Sequence, residues 1–277
     1  DRARALSSAQ PPRRTVARMR RGFGIGGWVT LGLAASYFVT PLVVTAAFSL
    51  WEGGNRYGLA AYRALIGQPV MWQSLLLSFR LSIETIIAGF ILLVPALVFV
   101  HLRAIWLRPV FEFISVLPFV VPAIALVAGL TTLYTGPSWL IGTANYLVIP
   151  YFFLALPYGY RALDVGLSAL DLKTLTEAGQ SLGASLPQML RMVILPNLVS
   201  SLLGATMLTL AVVMGEFTFA SILLFKTFAV YLNDVGHSKV TEASALVLLS
   251  FVITWAAMLI VLASGRRGQA AQLAGAH

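Results

Sequence analysis

Six apolar runs follow one another along these 277 residues, covering 26–50, 74–100, 110–133, 141–160, 197–224 and 242–263. Each is near or above the roughly 20 residues that a helix needs to cross a hydrocarbon core of about 30 Å. Backbone placed in lipid must satisfy its own hydrogen bonds, and single runs of this length do so as helices. Charged residues make up only 10% of the chain and mean hydropathy is +0.86. That is too little polar surface to coat a water-soluble globule of this size. The expected fold class is an all-α integral membrane protein with six transmembrane helices.

The charges orient the spans. Arg2, Arg4, Arg13, Arg14, Arg18, Arg20 and Arg21 crowd the stretch before the first run. That run exceeds the roughly 7 to 15 apolar residues of a secretory signal, so it is read as a retained span. With the N-terminus inside, the same side receives Arg103, Arg108, Arg161, Lys173, Arg191, Arg266 and Arg267. The other side receives only Arg56, Arg63, Lys226 and Lys239. The excess of basic residues places both termini in the cytoplasm. The expected organisation is a basic cytoplasmic tail over 1–25, one six-span domain over 26–263 and a second cytoplasmic tail over 264–277. The net charge of +9 is thus a membrane flank that attracts anionic lipid, not a nucleic-acid surface.

Between the fourth and fifth spans, on the cytoplasmic side, lies a segment of different character, 165–196. Its centre reads EAGQSLGASLPQMLRMVILP, Glu177 to Pro196. Leu172, Leu175, Gly179 and Leu182 recur at helical spacing, with Asp171 placed as an N-cap and Gly183 as a left-handed C′ residue. Ser185, Leu186, Pro187 and Gln188 then form a capping box with proline in the first turn. Leu186, Met189, Leu190 and Val193 supply an apolar face up to Pro196. Two short helices joined by a glycine bend are expected. By spacing alone they could be an interfacial connector or a docking element for a cytoplasmic partner.

These residues resemble the EAA loop of binding-protein-dependent ABC importer permeases, in which Glu-Ala-Ala, three residues, Gly and nine residues precede Ile-x-Leu-Pro. Glu177, Ala178, Gly183, Leu195 and Pro196 match in register, while Gly179 stands for the second alanine and Val193 for the isoleucine. LAAYRAL before the second span and the half from Arg161 through GEFTFASILLF resemble the permeases for polyamines, with kin for phosphonates and ferric iron. The resemblance implies a permease subunit in the bacterial inner membrane that forms half of a substrate pathway. It implies as partners two cytoplasmic ATP-binding subunits, a second permease subunit of paralogous sequence and an external substrate-binding protein. Glu177, Ala178, Gly179, Leu182, Gly183, Leu186 and Pro196 would then couple the chain to the ATPase, with the leucine face as the seat.

Within the spans, a carboxylate near the bilayer centre costs about 2.5 to 3.5 kcal/mol on insertion scales and asks for a partner or a watery cavity. Glu84 has Arg80 one turn before it, the spacing of a local ion pair. Glu216, followed by Phe217, is either an interhelical hydrogen-bonding group or a lining group of the pathway. Pro118 and Pro122 make the third span a kinked helix or a gate hinge.

No catalytic residue, cofactor or metal site is expected. The chain has no cysteine, its histidines (His101, His237 and His277) are scattered, and no phosphate-binding GxxxxGK[ST] occurs, so ATP hydrolysis would belong to separate subunits. A secondary transporter or channel is the rival reading, but the acids are isolated and no internal repeat stands out.

Overall fold

The computed structural model describes residues 25–133, 136–137 and 139–274, with side chains over 26–132, 136–137 and 139–263. The tail arginines and the last three residues of the chain lie outside the described residues. The chain forms two compact units, one up to Ala47 and one from Phe48 onward.

The first unit holds nearly all of α1, Ile25–Ser49, whose Thr30 and Thr45 hydroxyls donate back to the carbonyls of Gly26 and Pro41. The second unit opens with a small antiparallel hairpin, β1 (Trp51–Gly53) and β2 (Arg56–Tyr57), with Trp51 opposite Tyr57. Then come α2 (Ala60–Ile66), α3 (Pro69–Arg103), α4 (Arg108–Val120), α5 (Ala123–Leu133) and α6 (Val148–Ser168). The chain continues through α7 (Leu172–Ser181), α8 (Leu186–Met189), α9 (Leu195–Asn197), α10 (Val199–Gly215), α11 (Thr218–Ile222), α12 (Phe228–Ser238) and α13 (Val240–Ala274).

Among the described residues, four helical stretches are long and apolar enough to cross a membrane: Gly26–Ser49, Pro69–Arg103, Val199–Ile222 and Val240–Ala263. A fifth passes only as a bent pair, α4 with the turn before it and α5, meeting at 103°. The fold is therefore that of an all-α, multi-pass membrane protein.

Its departures from the expected spans have local causes. The third run breaks at Pro122, because a proline disfavours helical backbone in the residue before it and Val121 is extended, at φ −85° and ψ 118°. Pro118, by contrast, sits inside α4 and is buried. The fourth helix starts at Val148 rather than 141 and runs on to Ser168, carrying Arg161 and Asp164, so it falls outside the apolar set. α10 stops at Gly215, and α13 runs on to Ala274, through most of the segment read as a tail.

α3 is the mast of the second unit. Its 35 residues reach about 52 Å at 1.5 Å per residue, well past the hydrocarbon thickness. Ser82 and Thr85 are buried and donate back to the carbonyls of Ser78 and Leu81, while Ser78 Oγ accepts the Phe228 N–H at 2.9 Å. One serine thus satisfies an orphan donor at the start of α12. At the other end of α3, Leu93, Val94, Leu97 and Val98 pack with Leu156, Leu163 and Leu167 of α6. The same cluster takes in Leu172 of α7, Ile194 and Leu198, so the segment after α6 is rooted in the core.

Candidate functional site

All three capping devices expected of the α7–α8 segment are present. Asp171 Oδ1 accepts the Thr174 N–H at 3.2 Å, and the Thr174 hydroxyl donates to Asp171 Oδ2 at 2.7 Å. These bonds favour the ionised form, the hydroxyl more than the amide, and hold the Asp171 carboxyl below its ordinary value. At the other end the Gly183 N–H donates to Gln180 O at 2.9 Å and the Ala184 N–H to Gly179 O at 3.0 Å. This is the double closure of a Schellman turn, and it requires the left-handed conformation that Gly183 adopts at φ +78°. Across the bend, the Ser185 N–H and hydroxyl both donate to Gln188 Oε1 at 2.8 Å.

Gly179 has a packing reason. A Cβ built there would lie 2.6 Å from Met189 Sδ, because the buried Met189 side chain crosses the glycine and ties α8 to α7. The two turns therefore form one small braced body.

The leucines divide differently from the expected seat. Leu172 is buried in the chain's own core and Leu175 is half-buried, whereas Leu182 is 88% exposed and Leu186 50% exposed. The reason is the stop at Ser181: Leu182 is the last residue before the left-handed turn and swings away from the inward face. The outward surface is Glu177, Ala178, Leu182, Gly183 and Leu186. Nor is the second short helix separate from the fifth span. After α8 the path widens into a π-turn over Leu190–Ile194, passes through α9 and enters α10. Pro196, half-buried in α9, lacks the N–H that a regular helix would give to Met192 O, and the wide turn accommodates that loss.

Beside this loop lies a polar network that the sequence reading missed. Asp164, 2% exposed, accepts from Arg108 Nε at 2.9 Å and Arg108 Nη2 at 2.8 Å, with His101 Nε2 3.4 Å away. Arg108 Nη2 also donates to Ser168 Oγ at 3.0 Å. The cluster joins the end of α3, the start of α4 and the end of α6, immediately before α7. A signal did exist: Asp164 shares a helix face with Tyr160, Leu163 and Leu167, all buried, and a carboxylate on a buried face requires a partner.

The residues suggested for a pathway are dispersed. Glu216 is buried and accepts the N–H groups of Phe219 at 2.8 Å and Ala220 at 3.4 Å, so its carboxylate caps α11 where the fifth span breaks. Phe217 is 38% exposed beside it, while Pro118 is buried in α4 and Pro122 is exposed at the bend. Glu84 pairs with Arg80 at 3.1 Å, as the spacing indicates, and Arg80 also reaches Asn145 Oδ1. A separate cleft of 530 Å³ opens between α4, α6 and α10, lined by Phe119, Tyr158, Arg161, Ser200, Ser201 and Leu208 among others.

No family model matches this sequence, and no curated protein matches it. Among solved structures, the chain is similar to one from a bacterial ABC transporter involved in the import of the acidic polysaccharide alginate. The TM-score is 0.68 at 19% sequence identity, and the match covers 91% of this chain and 99% of that one. At that identity the likeness speaks for the fold alone: the chain shares the overall architecture of that solved chain.

Proposed function

We propose that the chain is the permease subunit of an ATP-driven ABC importer, a transport subunit rather than an enzyme. The observation that carries this reading is the braced α7–α8 body. It projects Glu177, Leu182 and Leu186 outward while Leu172 anchors it in the second unit's core and Met189 braces α8 onto α7. Displacement applied to the exposed face is transmitted to α6 and α10 because both ends are stiff and capped. The matched motif residues, the fold likeness and the excess of basic residues on one side all support this. The assembly has two ATP-binding subunits at the cytoplasmic face, each holding one such loop, together with a second, paralogous permease subunit and an external substrate-binding protein. It lies in the bacterial inner membrane with both termini in the cytoplasm.

The test is purification from the native membrane. The chain should bring down an ATPase, and a cross-linker at Leu182→Cys should join it to that ATPase. Uptake should stop with ATPase inhibition and survive collapse of the proton gradient while ATP is maintained. A chain that purifies without an ATPase and follows the proton gradient would be a secondary transporter.

For the cargo, resemblance favours a polyamine, with phosphonate and ferric iron as the kindred alternatives. The layout of charge favours the anionic one. The carboxylates of Glu84, Asp164 and Glu216 are engaged by Arg80, Arg108 or backbone N–H groups, and the 530 Å³ cleft, apolar over most of its lining, holds one charged side chain, Arg161. A polycation would meet like charge there. Arg161→Glu should depress uptake of a phosphonate and spare that of a polyamine, and the reverse result restores the polyamine.

A further inference from the structure

A groove of 250 Å³ runs between the last turns of α3 and the start of α8. Phe99 and Leu102 form one wall, Leu186 and Leu190 the other; Pro95 lies at one end and Arg103 at the other. From Pro95 to Arg103 the helix rises about 12 Å, and α3 is one of the apolar, membrane-length helices. The groove therefore descends from the headgroup level into the hydrocarbon layer. Its walls are open: Phe99 is 57% exposed and Leu186 50% exposed. A water-soluble partner cannot follow α3 to that depth, whereas an acyl chain can.

The rim chooses among lipids. Arg103, the one charged side chain that lines the groove, is exposed and has no carboxylate within ion-pairing distance among the described residues. A guanidinium at headgroup depth matches a phosphodiester in geometry and charge, and a lipid with net negative charge leaves that match uncompensated by a headgroup amine. We infer that the groove binds one anionic phospholipid, with an acyl chain between Phe99 and Leu190 and the phosphate on Arg103. The bound lipid bridges α3 and α8 and so wedges the α7–α8 body against the mast. Nothing in this binding depends on the chain being an importer subunit.

The absence of cysteine allows a clean measurement. A fluorophore on Phe99→Cys in the full chain, in non-ionic detergent micelles, is titrated with phosphatidylglycerol carrying a nitroxide on its acyl chain, and separately with phosphatidylcholine carrying the same label. Quenching should saturate with phosphatidylglycerol at a concentration roughly tenfold or more below that for phosphatidylcholine, the scale of one charge-assisted bidentate contact. Arg103→Gln should remove the difference. Leu186→Glu, which sets an acid on the opposite wall, should do the same without touching Arg103. The basic tail attracts anionic lipid equally in every variant, so the change on substitution isolates the groove. Equal quenching by both lipids, or a preference that survives both substitutions, overturns the site.

Discussion

Loss of Arg108 should cost far more than loss of its partner's charge. In Arg108→Met, Asp164 stays 2% exposed and keeps only His101 at 3.4 Å. Stranding a buried charge in this way costs about 3 to 5 kcal/mol. In Asp164→Asn the group left behind is Arg108, 39% exposed and able to turn to water. The loss there is that of its charge-assisted bonds, about 1.5 to 3 kcal/mol at most, and nearer the lower figure because solvent screens the pair. Removing both partners as Arg108→Met with Asp164→Leu replaces the pair by apolar volume and should cost less than Arg108→Met alone. Thermal unfolding in detergent provides the readout. At roughly 2 to 4 °C per kcal/mol for a domain of this size, Arg108→Met should lower the midpoint by about 6 to 20 °C, and the double variant should recover part of that. Equal losses in the two single variants, or a double variant no more stable than Arg108→Met alone, would refute the claim that one buried pair joins α3, α4 and α6.

Gly183→Ala forces a side chain into φ +78° and should cost about 1 to 2 kcal/mol, with ATP hydrolysis in the assembled complex running on while transport falls; full transport would count against the lever. Gly179→Ala should cost stability in the native background but little or nothing in a Met189→Ala background, since the added Cβ crowds only Met189; an equal cost in both backgrounds would refute the packing reason. Because the folded-state value of Asp171 is depressed, its contribution to the start of α7 is present above the ordinary carboxylate value, about 3.9, and is lost as pH falls through the lowered one. Protection of the α7 amides, taken relative to their intrinsic exchange rate at each pH, should thus stay flat at neutral and mildly acid pH and fall only below about pH 4; a fall near neutrality would rule this out. Glu216→Ala strands buried donors and should cost about 1 to 3 kcal/mol, whereas Glu216→Gln keeps the acceptor and should be near wild type in stability; if the glutamine variant is stable yet blocks transport, the charge itself serves the pathway.

What could be read from the sequence was local. Asp171 to Thr174, Gly183 to its two carbonyls and Ser185 to Gln188 each close within about one turn, so residue type and spacing were sufficient to place them. The π-turn before Pro196 and the stop at Glu216 were also local, but each depended on which of several permitted hydrogen-bond patterns the neighbouring packing favours. Proline alone does not decide: Pro95, Pro118 and Pro157 stay inside helices, and only at Pro122 does the chain turn by 103°. The Arg108–Asp164 pair spans 56 residues, and a composition that counts Arg108 as a topological charge cannot also reveal that its guanidinium is turned inward.

That pair bears on how the loop would act. A stiff α7–α8 body transmits displacement only if the helix it leaves is itself held, and α6 ends at Ser168, three residues before the Asp171 cap. Asp164 and Ser168 bind α6 to Arg108 at the head of α4, and α4 leads to the bend at Val121 and Pro122. Under the proposed role, motion entering at Leu182 would have a direct route through α6 and the guanidinium to the bent pair of α4 and α5. In the intact complex, Asp164→Asn should weaken that route more than it weakens the fold, raising the ATP consumed per molecule transported while midpoint temperature shifts only modestly. A variant that loses stability and transport in equal proportion would assign the network to the fold alone.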